Sequence, residues 1–141
     1  MKKLMLIIAA IMIIATVIFD YQNGKSDTTE KQMFSIVKEI DKDGRILCDD
    51  ETGVLYYEYN DLAQSGLTVM MNSDGSALLK NSTKIDNIEF IQLNRIKDGN
   101  TLYMVYYEKQ TGVKYIKKTG VRNVSLTIML DADGKPQIYN K

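Results

Sequence analysis

Hydrophobic and polar positions divide this 141-residue chain into three regimes. Met1-Lys2-Lys3 is followed by sixteen residues without a charge, Leu4 to Phe19. A polar stretch follows, DYQNGKSDTTEK, from Asp20 to Lys31. Beyond it, short runs of alternating apolar and polar residues are separated by turns rich in Gly, Asp and Asn. Period-two alternation between such turns predicts β-strands. Strands are expected at Phe34–Ile40, Gly44–Asp49, Val54–Tyr59, Leu67–Met71 and Ala77–Lys80. A second series is expected around Ile91–Ile96, Val113–Lys118, Leu126–Leu130 and Pro136–Tyr139. A short helix with Met33, Phe34, Val37 and Ile40 on one face competes with the first strand. Its counterpart in the second series favours the strand.

The two series are copies. Thr52 to Gly75 aligns with Thr111 to Gly134 at a constant offset of 59, without a gap, and nine of the 24 positions are identical. The identities are Thr52/Thr111, Gly53/Gly112, Val54/Val113, Tyr56/Tyr115, Leu67/Leu126, Thr68/Thr127, Met70/Met129, Asp74/Asp133 and Gly75/Gly134. These are turn and core residue types, so the repeat marks what the fold needs and not a catalytic set. The Thr-Gly and Asx-x-Asp-Gly segments read as hairpin turns whose glycine takes a positive φ. Shared Val54 and Tyr56, with Val113 and Tyr115, mark the expected core face of their strand. Leu67, Val69 and Met71, with Leu126, Ile128 and Leu130, mark a second core stripe. The opposite face differs between copies: Leu55, Tyr57 and Tyr59 in one, Lys114, Ile116 and Lys118 in the other. It is therefore expected to be exposed or to meet a partner. The fold class expected is mostly β: two tandem antiparallel β-meander repeats packed as a pseudo-symmetric sandwich or curled sheet, preceded by an N-terminal hydrophobic helix. Residues 1–24 form the signal segment and 25–33 a polar tether. Repeat 1 spans 34–80, a linker 81–89, and repeat 2 90–141.

The motifs Asp50-Glu-Thr-Gly-Val54 and Leu126-Thr-Ile-Met-Leu-Asp-Ala-Asp-Gly-Lys-Pro136 resemble a small uncharacterised β-domain family of Gram-positive bacteria and their phages. Its core reads D-x-x-T-G-V-x-Y, then G-L-T-P-L-L-D-x-D-G-K-P. Two tandem copies together cover about residues 34–140. The second copy keeps D-x-D-G-K-P but has Lys109 and Gln110 where acidic residues are usual. The first has Asn72 for the leading Asp and Ser76-Ala77 for Lys-Pro. Val69 and Ile128 stand where the family has Pro. The resemblance implies a fold unit. It carries no assigned activity, and so no catalytic residues.

Leu4–Phe19 behind two lysines reads as a secretory segment. An uncleaved anchor is favoured over a cleaved signal, because bulky Val17, Ile18 and Phe19 stand where a cleavage site needs small residues. Sixteen residues is slightly under the roughly 17–25 that a spanning helix uses. A buried helix of the domain is the third reading. Membrane contact through residues 4–19, with the rest outside the cell, is the expected localisation. Secretion after cleavage is the alternative.

Composition narrows the chemistry. There is no His, no Trp and one Cys. That removes imidazole catalysis, His-ligated metals and an internal disulfide framework. The formal net charge is zero, which argues against nucleic acid as a partner. No cofactor is expected. Asp131-Ala-Asp133-Gly134 reads as a hairpin turn, although it resembles the start of a calcium loop. Asp49, Asp50 and Glu51 read as a solvated turn, with a carboxylate pair of a hydrolase as the sharper alternative. Cys48 reads as a small apolar residue. Charge is divided between the halves: residues 34–80 hold nine acidic and four basic side chains (net −5), residues 90–141 four acidic and nine basic (net +5). The halves can attract one another within a molecule, or between molecules as self-association.

The sequence therefore points to a non-enzymatic, exported, membrane-tethered β-sheet module that binds a protein or an envelope polymer. Tyr57, Tyr59, Lys114, Lys118 and Arg122 are the candidate partner-binding residues, as aromatic and cationic groups of the variable face and the loop after it. The competing reading is that the tyrosine face is covered by the other copy or by the 60–66 loop. A small carboxylate-based hydrolase is one alternative. A phage or mobile-element envelope factor acting on a membrane partner is another.

Overall fold

A computed structural model describes residues 32–60 and 64–140. The expected N-terminal helix, the signal reading and most of the tether lie outside the described residues. Among the described residues no helix is long and apolar enough to cross a membrane.

The described chain is mostly β, in two four-stranded antiparallel sheets. The first contains β1 (Phe34–Glu39), β2 (Gly44–Asp49), β3 (Leu55–Asn60) and β4 (Ser65–Val69), in sequential order. The second contains β5 (Phe90–Asp98), β6 (Thr101–Glu108), β7 (Lys114–Thr119) and β8 (Val124–Ile128), also sequential. Two short 3-10 turns, Lys80–Ser82 and Ile85–Asn87, carry the chain between sheets. The strand reading of Phe34–Ile40 holds and the competing helix does not form.

The sheets match nearly bond for bond at the offset of 59. Asp49 N–H donates to the Val54 carbonyl, and Glu108 N–H to that of Val113. Gly53 N–H donates to the Asp49 carbonyl, and Gly112 N–H to that of Glu108. Gly53 and Gly112 sit at φ 75° and 73°, which an L side chain rarely adopts. In the Asx-x-Asp-Gly turns, Gly75 N–H donates to the Asn72 carbonyl and Gly134 N–H to that of Asp131. The last segment of each copy forms only isolated bridges: Met71 with Ala77 and Val54 with Leu79, then Leu130 with Pro136 and Val113 with Ile138. It wedges between two neighbours, Leu78 N–H donating to Met70 while its carbonyl accepts from Leu55 N–H. A full strand was expected there, but two bridges are too few to continue a ladder.

The first strand of each sheet bulges at one residue. Pairing skips Val37 in β1 and Leu93 in β5. Phe34 faces Asp49 and Phe90 faces Glu108, so in this strand the copies correspond at an offset of 56.

The core lies between the sheets and draws different faces from them. Directly opposed residues share a face. Val54, Tyr56 and Glu58 lie on one side of β3, and Val113, Tyr115 and Lys117 on the equivalent side of β7; this is called the valine face here. The other is the reverse face. The second sheet buries its valine face: Val113, Tyr115 and Leu126 are core residues. The first sheet instead buries its reverse face, through Ile46, Cys48, Leu55, Tyr57 and Met70. This corrects the expected core stripe of the first copy, where Leu67 is 46% exposed, and with it the expected pseudo-symmetric pairing. Pairing like faces would give an isologous contact. Pairing unlike faces gives a head-to-tail one.

Candidate functional site

The interface between the sheets is aromatic at its centre. Tyr57 stacks on Phe90 with centroids 4.2 Å apart and planes inclined 20°. Phe90 stands edge-on to Tyr115, at 5.4 Å and 78°. The Tyr115 hydroxyl accepts a hydrogen bond from Met71 N–H at 3.2 Å. Burial pushes the Tyr57 and Tyr115 phenols well above their ordinary range, because the phenolate would lose its hydration. Nearby, the Lys117 ammonium lies 3.7 Å above the Tyr59 ring. Lys117 is itself buried, and its position over aromatic faces keeps the charge in a favourable field. At the sheet edges β4 lies against β8, where Gly66 approaches Leu126 and Val124.

The five candidate partner-binding residues are thus divided. Tyr57 is buried in the core and Tyr59 is half-buried against Lys117. Their face was expected to be exposed or to meet a partner, with cover by the other copy as the competing reading; the second sheet covers it. Lys114 and Lys118 stand on the reverse face of the second sheet, which, among the described residues, no other sheet covers, although Tyr107 on it is buried. Lys118 is exposed, with its ammonium 5.9 Å from the Tyr103 ring. Lys114 pairs across the strands with Tyr107, and Tyr107 stacks on Tyr139 at 4.4 Å. Ile96, opposite Tyr103, is 53% exposed on the same face. Arg122 lies beyond the strand, in the exposed β7–β8 loop.

The valine face of the first sheet is a second open surface, which the sequence reading missed by assigning it to the core. Phe34 stands edge-on to Tyr56, with centroids 5.4 Å apart and planes at 75°. Ile36 is 51% exposed beside them. Arg45 and Glu58, opposed across β2 and β3, form an ion pair that raises the arginine pKa. Two sequence signals mark this face. Phenylalanine recurs at the first position of β1 and β5, and Glu58 takes the repeat position of Lys117.

The carboxylates hold turns. Asp49 accepts from the N–H groups of Glu51 and Thr52 and from the Thr52 hydroxyl. Glu108, fully buried, does the same for Gln110, Thr111 and the Thr111 hydroxyl. Asp131 accepts from the N–H groups of Asp133 and Lys135, the work of a hairpin Asx residue. A cleft of about 660 Å³ is lined in part by Lys38, Asp41, Asp86, Glu89, Phe90 and Lys109. Lys38 donates to the carbonyls of Asp86 and Ile88, and Asp41 accepts from the N–H groups of Asp43 and Gly44. Glu89 pairs with Lys109 at 2.6 Å, which lowers its pKa. A glycosidase-type general acid needs a carboxyl shifted the other way. Cys48 is buried, and burial pushes its thiol pKa up, away from a reactive thiolate.

Residues 90–139 match a family described only as a family of unknown function (DUF6440). That range covers the second sheet and its closing segment. No curated protein and no solved structure matches the chain.

Proposed function

We propose that this chain is a non-catalytic β-sheet module that binds a protein or an envelope polymer through the reverse face of its second sheet. Residues 4–19 would hold it at the cell membrane as a signal anchor, with the sheets outside. The first sheet, on this reading, is a diverged copy of the unit that the family match covers at 90–139. One observation carries the proposal. The two copies differ most on their reverse faces; the first copy's is consumed in the core, while the second's stays open with Lys118, Ile96 and the Tyr103 ring at its surface. An apolar sheet face with a cationic rim suits a macromolecular surface better than a small ligand.

The test is in-cell crosslinking and pull-down of the full-length chain, with K114E/K118E/R122E as the variant. Loss of retention on partner or envelope at unchanged thermal stability is expected. Unchanged retention rejects this face. Fractionation should place the full-length chain with membranes, and a shortened form found only in the medium would reject the anchor.

A further inference from the structure

The head-to-tail packing of the copies has a consequence for the two faces left over. Inside the chain, the reverse face of copy 1 sits on the valine face of copy 2. The faces left open are the valine face of copy 1 and the reverse face of copy 2. These are the same two kinds of face, one at each end of the molecule. A contact between unlike faces does not close on itself, so it can repeat from molecule to molecule.

The open faces keep part of what makes the internal contact. On the valine side, the edge-on pair Phe90–Tyr115 that receives Tyr57 has a near-identical counterpart in Phe34–Tyr56: centroids 5.4 Å apart in both, planes at 78° and 75°. The pair is therefore already set on the surface in the arrangement that the core uses. On the other side, Ile116 takes the repeat position of Tyr57, an apolar side chain of suitable reach. In place of the cation–ring contact the open faces offer opposite charges, with Glu58 already paired to Arg45 in its own sheet. Lys117 over Tyr59 maps, through the offset of 59, onto Glu58 and Lys118. Both members change, and they change to opposite charges. The copies as wholes carry net −5 and +5 over residues 34–80 and 90–141, so the ends attract as well.

Positions that differ against the contact include Lys114 in place of fully buried Leu55, Tyr107 in place of buried Cys48, and Ser125. Gly66, which lets β4 press on β8, is replaced at the equivalent position by Ser125. Its Cβ holds the edge strands farther apart, so the contact between molecules is the weaker of the two.

We propose that the chain associates with further copies of itself head to tail, the reverse face of the second sheet of one molecule seating on the valine face of the first sheet of the next, with Lys118 against Glu58. This rests on the reading above that the second sheet's reverse face is a binding face, and it names the partner as a second copy.

The experiment uses two differently tagged full-length chains, E58C and K118C, expressed together and treated with a short thiol crosslinker. Cys48 is buried and is a poor reactant. A mixed E58C–K118C product is expected, with little from E58C with E58C or K118C with K118C. In co-isolation of tagged wild-type chains, K118E should reduce recovery about tenfold, as like charges replace opposite ones. S125G should increase recovery, because it restores the close edge approach. Equal yields from mixed and same-site pairs would overturn the proposal. So would crosslinks from K118C that reach only other molecules, an outcome that would leave the binding-face reading standing. If K118C crosslinks to nothing while K114E/K118E/R122E keeps its retention, both readings fall together.

Discussion

Replacing Gly66 with alanine tests the junction on which the two-sheet arrangement depends. The residue sits in β4 facing β8, and an added Cβ would lie 3.2 Å from the Leu126 Cβ, 3.2 Å from the Leu126 backbone nitrogen and 3.2 Å from the Val124 Cγ1. Ordinary contacts between such atoms lie near 3.5–4.0 Å, so the strands must separate by roughly 0.3–0.8 Å. A side chain could rotate away, but a backbone nitrogen cannot. The cross-strand neighbours of Gly66 and Leu126 are Tyr59 and Lys117, so separation also opens the 3.7 Å cation–ring contact. Overpacking of this kind costs about 1–3 kcal/mol. Gly→Ala also lowers the entropy of the unfolded chain, which returns about 0.4–1 kcal/mol. The net expectation is a loss of about 1–2 kcal/mol. For a folded region of this size that corresponds to a Tm drop of roughly 4–8 °C. S125A, at the exposed equivalent position, should change stability by less than about 0.5 kcal/mol. Thermal and urea unfolding of the full-length variants measure both. A G66A protein as stable as wild type, or more so, would show that β4 and β8 are not pressed together.

Two further outcomes follow from the buried polar groups. Truncating Glu108 to alanine removes a fully buried acceptor from the N–H groups of Gln110 and Thr111, at a cost of about 1–3 kcal/mol, whereas D49A, at the half-buried equivalent carboxylate, should cost less, about 1 kcal/mol. Urea unfolding that ranks them the other way would refute the burial argument. On alkaline titration, Tyr57, Tyr106 and Tyr115 should stay protonated after exposed phenols have ionised, since burial raises all three. Their folded pKa values lie above the unfolded value near 10, so the stability they supply is intact below about pH 10 and is lost as pH rises toward the folded values. Phenolate absorbance should therefore rise in a late step that coincides with loss of circular dichroism. Independent titration of all nine tyrosines, with no coupling to unfolding, would contradict it.

Much of the local structure is legible in the chain because its causes are local. Gly53, Gly75, Gly112 and Gly134 all take positive φ in turns, as their spacing after Thr or Asx-x-Asp implies. Seven of the eight strands appear close to where alternation placed them; β6 was not placed, and the closing segments form only isolated bridges. The bulges at Val37 and Leu93 were not legible, since one skipped residue leaves an alternating pattern that can be read on either side of it. Of the candidate site, Lys114 and Lys118 reached an open face, while Tyr57 and Tyr59 went to the interior. The face carrying Phe34, Tyr56 and Glu58 was read as core.

What the sequence by itself determined was the repeat, its turns, its strand order and the division of charge between halves. Each of these depends on a few neighbouring residues or on simple summation. Only the tertiary structure decided which face of each sheet is inside. Both faces of the first sheet carry enough apolar surface to serve, with Ile46, Leu47 and Cys48 consecutive in β2 and all buried. Alternation then no longer separates inside from outside. The choice is made between sheets, where Tyr57 fits the Phe90–Tyr115 pair and Gly66 allows β4 to reach β8. Packing unlike faces removes the symmetry that the repeat suggests and leaves one face of each kind at opposite ends of the molecule.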